Sequence, residues 1–165
     1  MAKKNPHSTQ QTLTDILLNG TQLLTELKSL LEAERQHLEQ NAYSEVQATV
    51  SKKQNCLELT QQHEIALQAF FKAQGIASDK IDLKKLAEDF DPNPESTLAT
   101  TVRHYESLLN ACNTLNTING QIIQRAQVNA VNLLNVIKGA VKKNETYTRA
   151  GKTRSNPDNQ PIARA

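Results

Sequence analysis

The stretch from Leu98 to Val141 contains no proline and constrains the fold more than any other part of the sequence. Its apolar residues alternate in steps of three and four, the spacing of a helix that packs against other helices. At about 1.5 Å per residue, one helix over this stretch would be roughly 60 Å long. The sequence therefore predicts a helix over about residues 97–141. Its apolar positions are Leu98, Val102, Tyr105, Leu109, Cys112, Ile123, Ala126, Ala130, Leu133, Ile137 and Ala140, beside a second row of Leu108, Leu115 and Ile122.

Asn116 and Asn119 break this apolar seam, and Gly120 follows them directly. Asparagine within a helical seam most often fixes register and partner choice at some cost in stability. Binding of a polar substrate is the alternative interpretation. Gly120 would let another backbone approach closely. We interpret the three residues as setting the register of the seam.

Two further helices are predicted ahead of the long one. Leucines at heptad spacing predict the first over about residues 12–40, with Thr12 as its cap. The second is expected over about residues 44–74, with Ser44 as its cap and Gly75 after its end. Its apolar face is expected to contain Val46, Val50, Leu57, Leu67 and Phe71, interrupted by Lys53, Thr60 and Glu64.

Residues 76–96 form the one long connection. The pair Pro92 and Pro94 stops any helix there, because each proline biases its predecessor away from the α region. We expect this connection to cross over and cap one end of the helical hairpin. The residues expected to tuck inward are Ile81, Leu83, Leu86 and Phe90.

These elements predict an all-α fold, an elongated antiparallel three-helix bundle or coiled coil with a long C-terminal helix. Hydrophobic content is 38%, which suits a narrow seam better than a compact globule. The polar N-terminus, residues 1–11, is expected to be flexible, and residues 12–141 to form the bundle. Residues 142–165 are expected to be a disordered basic tail.

The far end of the long helix is among the most apolar parts of the chain. The third long helix exceeds the other two by about ten residues, so this end is either left open or covered. An open apolar end would mark a partner site. Alternatively, the three helices are offset and the end is ordinary core. The apolar residues in question are Leu133, Leu134, Val136, Ile137, Ala140 and Val141.

No set of residues indicates catalysis, a metal site or a cofactor. His63 and Glu64 begin like a zinc-binding HExxH motif, but Leu67 replaces the second histidine. All four histidines are therefore expected to be solvated helix residues. A net charge of +2 gives no strong steering to nucleic acid, and no apolar run is long enough to span a membrane. Cys56 and Cys112 are expected to be reduced, buried thiols of a cytoplasmic protein.

The same residues resemble a known family. The first helix contains paired leucines followed by Glu34, the second contains Lys53, and the third contains the Asn116-x-x-Asn119-Gly120 element. The tail contains Tyr147, followed by Thr148 where this family often has glycine. Over about residues 13–151 this combination resembles the flagellar export chaperone family FlgN, and the Asn-x-x-Asn-Gly element is its most specific part.

This resemblance implies a cytoplasmic helical chaperone of flagellar type III secretion with no enzymatic activity. Its partners would be the hook–filament junction proteins FlgK and FlgL, bound through their C-terminal segments, and the export-gate protein FlhA. The cargo groove would be formed by Leu133, Leu134, Ile137 and Val141, and Tyr147 would dock to the gate. The chain itself is expected to be a monomer or a weak homodimer.

Two alternatives remain open from the sequence. The first is a structural coiled-coil tethering or scaffold subunit without a chaperone role, which would form a stable oligomer. The second is a helical-bundle enzyme or nucleic-acid binder. The enzyme lacks a convergent acid–base set, and the nucleic-acid binder has a basic tail but no basic stripe along a helix.

Overall fold

The computed structural model describes the backbone of residues 6–76 and 81–142 and the side chains of residues 7–76 and 81–138. These residues contain four α-helices and no strand. The helices are α1 (Pro6–Glu39), α2 (Tyr43–Ala73), α3 (Leu83–Phe90) and α4 (Thr97–Lys142). The all-α fold, with its long C-terminal helix, is confirmed.

Helix α1 begins six residues earlier than the sequence predicted. Pro6 is its first residue, a position where the missing backbone N–H costs nothing. Thr12 is therefore not a cap; it lies inside the helix, and its hydroxyl donates to the Ser8 carbonyl oxygen. The predicted leucine face is buried, with Leu13 and Leu17 at its start.

The α1–α2 hairpin turns through Asn41, which has a positive φ of 54°. Helix α2 then begins at Tyr43, so Ser44 lies within it rather than capping it. Ala42 occupies the N-cap position, and no side-chain hydrogen bond caps the helix there. The two helices are antiparallel, because Ile16 pairs with His63 whereas Glu34 pairs with Lys53. At the other end of α2, Gly75 has a φ of 73°, the left-handed conformation that commonly ends a helix.

The face that α2 buries agrees with the predicted one at Leu67 and Phe71, which are buried, and differs from it at Val50 and Leu57. Val50 and Leu57 are each 42% exposed, while the buried and half-buried positions fall one residue away. Those positions are spaced in steps of four and three, but most of them are polar, so apolar spacing could not identify them. They are Thr49, Lys53, Cys56, Thr60, His63, Leu67 and Phe70.

Helix α3 packs against one end of the bundle. The Asp82 carboxylate caps α3 by accepting from the backbone N–H groups of Lys84 and Lys85. The inward packing predicted for this connection is confirmed in its main feature, since all four apolar residues are half-buried against the core. Ala87 is the fully buried residue of the segment, and the prediction missed it. The four half-buried residues are Ile81, Leu83, Leu86 and Phe90.

Helix α4 starts after Ser96, whose hydroxyl oxygen accepts from the Ala99 N–H and so caps the helix. It runs parallel to α1: Cys112 contacts the Leu24 carbonyl oxygen, and seven residues on, Asn119 contacts that of Leu31. The backbone is helical through Asn119 and Gly120. The buried seam on α4 consists of Leu98, Val102, Tyr105, Leu108, Cys112 and Asn119, with Leu115 and Ile122 half-buried.

The chain divides into two units, Met1–Ile123 and Gln124–Ala165. The first unit contains α1, α2, α3 and the part of α4 that carries the buried seam. The second contains the end of α4, where the described side chains, residues 124–138, are all exposed.

Candidate functional site

Three polar side chains from three helices meet inside the first unit. Glu34 on α1 and Asn119 on α4 are each only 1% exposed. The Asn119 amide Nδ2 donates to Glu34 Oε2 at 2.8 Å and to the Leu31 carbonyl oxygen at 2.9 Å. Lys53 Nζ on α2 donates to the other carboxylate oxygen, Glu34 Oε1, at 2.5 Å. We call these three side chains the three-helix tie. It explains why Lys53 interrupts a face that was expected to be apolar, because Lys53 pairs there with Glu34.

A second contact between the three helices lies nearer their other end. His63 on α2 is buried, and its Nε2–H donates to the Ile16 carbonyl oxygen at 2.9 Å. Its ring lies 6.0 Å from that of Tyr105 on α4. Both rings crowd Gly20 on α1, where a Cβ atom would lie 2.5 Å from His63 Cε1 and 2.6 Å from Tyr105 Cε2. The expectation that every histidine is solvated is therefore wrong for His63.

The Asn-x-x-Asn-Gly element is divided by the structure. Asn119 is buried in the tie, but Asn116 is exposed, and a Cβ on Gly120 would meet nothing within 4 Å. The buried seam passes through Leu115, Asn119 and Ile122, so Asn116 falls one position outside it. Leu109 and Ile123 leave the predicted seam for the same reason. The prediction that Asn116 lies in the buried seam is wrong, and among the described residues no other backbone approaches Gly120 closely.

Beyond the tie, α1 and α4 differ in length. Helix α1 ends at Glu39, five residues after Glu34, whereas α4 continues from Asn119 to Lys142. In the second unit three residues of the predicted cargo groove are more than half exposed: Leu133 (61%), Leu134 (54%) and Ile137 (52%). We call these three residues the α4 stripe. No described residue covers them, so of the two alternatives the described structure favours the open end over ordinary core.

Other apolar side chains on this segment are also exposed. Val128, Val131 and Val136 are 52% to 67% exposed. On a helix of 3.6 residues per turn, Val128 points away from the α4 stripe, whereas Val131 and Val136 flank it. Val141, the fourth predicted groove residue, lies in α4, but its side chain is outside the described ones. Tyr147, the predicted gate-docking residue, and the predicted tail also lie outside the described residues.

The described residues offer little for chemistry. They contain no group of three or more His, Cys, Asp or Glu side chains that could hold a metal ion. None of the described helices is both long and apolar enough for a membrane span. Cys56 and Cys112 are free and buried, and their thiols donate to the Leu23 and Leu24 carbonyl oxygens. Burial raises the pKa of both thiols, which keeps them protonated and unreactive near neutral pH.

A helical bundle with one exposed apolar helix segment is typical of the class of proteins that bind another polypeptide by helix packing. The particular family follows from comparison with known proteins. The family model described as FlgN protein matches residues 1–155, and the chain belongs to the FlgN family. This is a family of flagellar export chaperones, not of enzymes, so the chain has that general role. No curated protein and no solved structure matches the chain.

Proposed function

We propose that this chaperone binds the C-terminal segments of the junction proteins FlgK and FlgL along the α4 stripe. The observation that carries the proposal is the exposure of Leu133, Leu134 and Ile137 on a stable helix with no described cover. Three exposed apolar side chains in one row can pack against the apolar face of an amphipathic helix, as in known helix-in-groove complexes. Val141 continues the row and is included in the proposed surface.

The bound segment would be disordered when free and helical when bound. Ordering it costs free energy, so the affinity is moderate and the cargo can be released. Covering its apolar face would also prevent the junction proteins from assembling before export. The chaperone works in the cytoplasm, as a monomer or weak homodimer, and needs no cofactor.

Delivery to the export gate forms the second part of the proposal. Tyr147 docks to FlhA, while the α4 stripe holds the cargo. A tyrosine in a polar segment is a suitable anchor, because it supplies a large contact area and one hydroxyl group. Tyr147→Ala should weaken binding to FlhA and leave cargo binding unchanged. Tyr43→Ala is the matched control, since Tyr43 is 72% exposed on α2.

Isothermal titration of the full chain with C-terminal peptides of FlgK and FlgL tests the cargo surface. Saturable binding with a negative heat-capacity change is expected, because apolar surface is buried on a folding segment. The variant Leu134→Asp/Ile137→Asp should abolish it. The control Val128→Asp/Asn132→Asp places two aspartates on the opposite face of the same segment, and it should bind normally. Equal binding by both double variants would show that the α4 stripe is not the cargo-binding surface.

A scaffold role is the alternative, because an exposed apolar row can also pack into a permanent coiled coil. Analytical ultracentrifugation separates the two functions. A stable oligomer that persists on dilution, together with no peptide binding, would favour the scaffold. A monomer or a dimer that dissociates on dilution, with peptide binding, favours the chaperone.

A further inference from the structure

Acidic residues are absent from the sequence between Glu106 and Glu145, a region that includes the whole second-unit part of α4. The described charged side chains of that part are Arg125 and Lys138, both exposed. Neither makes an ion pair with a described residue. In the first unit, by contrast, Lys28, Arg35, Lys53, Lys84 and Arg103 each pair with a glutamate. The two cations beside the α4 stripe are therefore available to a partner.

Viewed down the helix axis, Arg125 and Lys138 lie on the two sides of the α4 stripe; Lys138 follows Ile137 directly, and Arg125 lies about 12 Å before Leu133 along the axis. On a helix of 3.6 residues per turn, Lys138 lies roughly a third of a turn from Ile137 in one direction, and Arg125 roughly a third of a turn in the other. Their Cα atoms are about 20 Å apart along the helix axis. Both side chains are long enough to reach along the border of a helix packed on the stripe.

The remaining polar side chains among residues 124–138 carry no charge. They are amides, which both donate and accept hydrogen bonds, and so they select neither sign of partner charge. The selection by charge rests on the two cations alone. The amides are Gln124, Gln127, Asn129, Asn132 and Asn135.

We infer that the α4 stripe selects amphipathic helices whose apolar face is bordered by Asp or Glu. The inference rests on the proposed function and adds the chemistry of the segment that is bound. Complementary charges at the rim of an interface act mainly on association rate, specificity and salt dependence. Apolar contact would supply the affinity, and the acidic border would distinguish cargo from other exposed amphipathic segments.

An anionic membrane surface would also attract an apolar helix face with basic neighbours. Helices that bind membrane surfaces are rich in Lys and Arg on their polar face. Here the described polar face carries five amides and two cations, a composition that favours an acidic peptide over a lipid surface.

Two designed peptides test the inference with the full-length protein. They share one Leu and Ile face at heptad spacing and differ only at the bordering positions, which are all Glu in one peptide and all Lys in the other. At low ionic strength, about 0.02 M, the Glu peptide should bind about tenfold more tightly. At about 0.5 M salt the preference should fall below about threefold, because exposed charges are screened.

Charge-reversal variants locate the effect. Arg125→Glu/Lys138→Glu should reverse the preference, so that the Lys peptide binds more tightly. Lys52→Glu/Lys72→Glu is the control, since both residues are exposed on α2, and it should keep the parental preference. Circular dichroism should show the same helix content in all three proteins.

The outcomes separate this inference from the proposed function. Equal binding of both peptides at low salt would overturn the acidic preference and leave the cargo surface in place. Binding of neither peptide would overturn the inference, and the titration with FlgK and FlgL peptides would then decide separately whether the α4 stripe is the cargo site. Tighter binding to vesicles containing about one-third phosphatidylserine than to the Glu peptide, abolished in Arg125→Glu/Lys138→Glu, would replace the acidic helix by a membrane surface.

Discussion

The Asn119 amide donates to the Glu34 carboxylate across 2.8 Å, and this hydrogen bond joins α4 to α1 in the buried interior of the bundle. Lys53 binds the other oxygen of the same carboxylate, so Glu34 holds both neighbouring helices at once. Burying such groups costs desolvation free energy, which an apolar trio would avoid. We propose that the tie favours one alignment of the helices, because a shift of α4 along α1 would leave the carboxylate and the amide unpaired.

Asn119→Ala should destabilise the protein, whereas Asn116→Ala should not. Loss of the Asn119 amide leaves one buried Glu34 oxygen without its donor, which costs about 1–3 kcal/mol. Asn116 is exposed on the same helix, and its replacement should change stability by less than about 0.5 kcal/mol. Urea unfolding followed by circular dichroism measures both. Equal stability of the two variants would show that the tie contributes nothing to folding.

The apolar seams of α1 and α4 were predictable because leucine spacing reports directly which face a helix buries. The seam of α2 was not, since its buried positions include Thr49, Lys53 and His63, which are buried only because α1 offers each a hydrogen-bonding partner. That information lies in the pairing of two helices and not in the spacing of one. Glu34 and Lys53 are each a charged residue within an otherwise apolar helix face. Their opposite charges are the signal that could have predicted a pair between the two helices.

The candidate site was predictable from helix length and apolar content, but its exposure was not. Leu133, Leu134 and Ile137 continue the spacing of the buried seam, so spacing alone could not separate core from open surface. The point along α4 at which the buried seam becomes exposed depends on where α1 ends relative to Asn119. The register of α4 on α1 determines that position. Asn116 illustrates the same point, because a shift of one position moves a residue from the seam to the surface.

Gly20→Ala and Gly120→Ala should have opposite effects on stability. Alanine is favoured over glycine in a helix by about 1 kcal/mol, and a Cβ on Gly120 meets nothing, so Gly120→Ala should raise the melting temperature by a few degrees. At Gly20 the new methyl group would overlap the His63 and Tyr105 rings. Overpacking of this kind costs about 1–3 kcal/mol, which exceeds the helix gain.

Differential scanning calorimetry of the two glycine variants provides the measurement. Gly20→Ala should cost less stability in a His63→Ala background than in the parent protein, because one of the two overlapping rings is then absent. A rise in melting temperature for Gly20→Ala would mean that α1, α2 and α4 do not approach as closely as this contact requires.

Leu57→Ala should distinguish the observed face of α2 from the face expected from apolar spacing, with Leu67→Ala, which lies on both faces, as the reference. Leu67 is buried in the core, and removing its side chain should cost about 2–5 kcal/mol. Leu57 is 42% exposed, so its truncation should cost less than about 1 kcal/mol. Chemical denaturation of both variants gives the two values. A larger loss for Leu57→Ala would restore the face predicted from the sequence.

The protein should lose stability above about pH 9 because its buried thiols resist ionisation. Burial raises the pKa of Cys56 and Cys112 above the ordinary thiol value of 9.0. Below that value both states keep their thiol protons and the stability is fully present. As the pH rises, the unfolded chain releases its protons first, so the free energy of unfolding falls by up to about 1.4 kcal/mol per pH unit for each thiol.

Urea unfolding between about pH 7 and 10 measures this slope, and Cys56→Ala/Cys112→Ala should flatten it even if the absolute stability of this variant is lower. The same slope in parent and variant would assign the alkaline loss to other groups, of which Tyr105, whose pKa is also raised by burial, is the first to test by Tyr105→Phe.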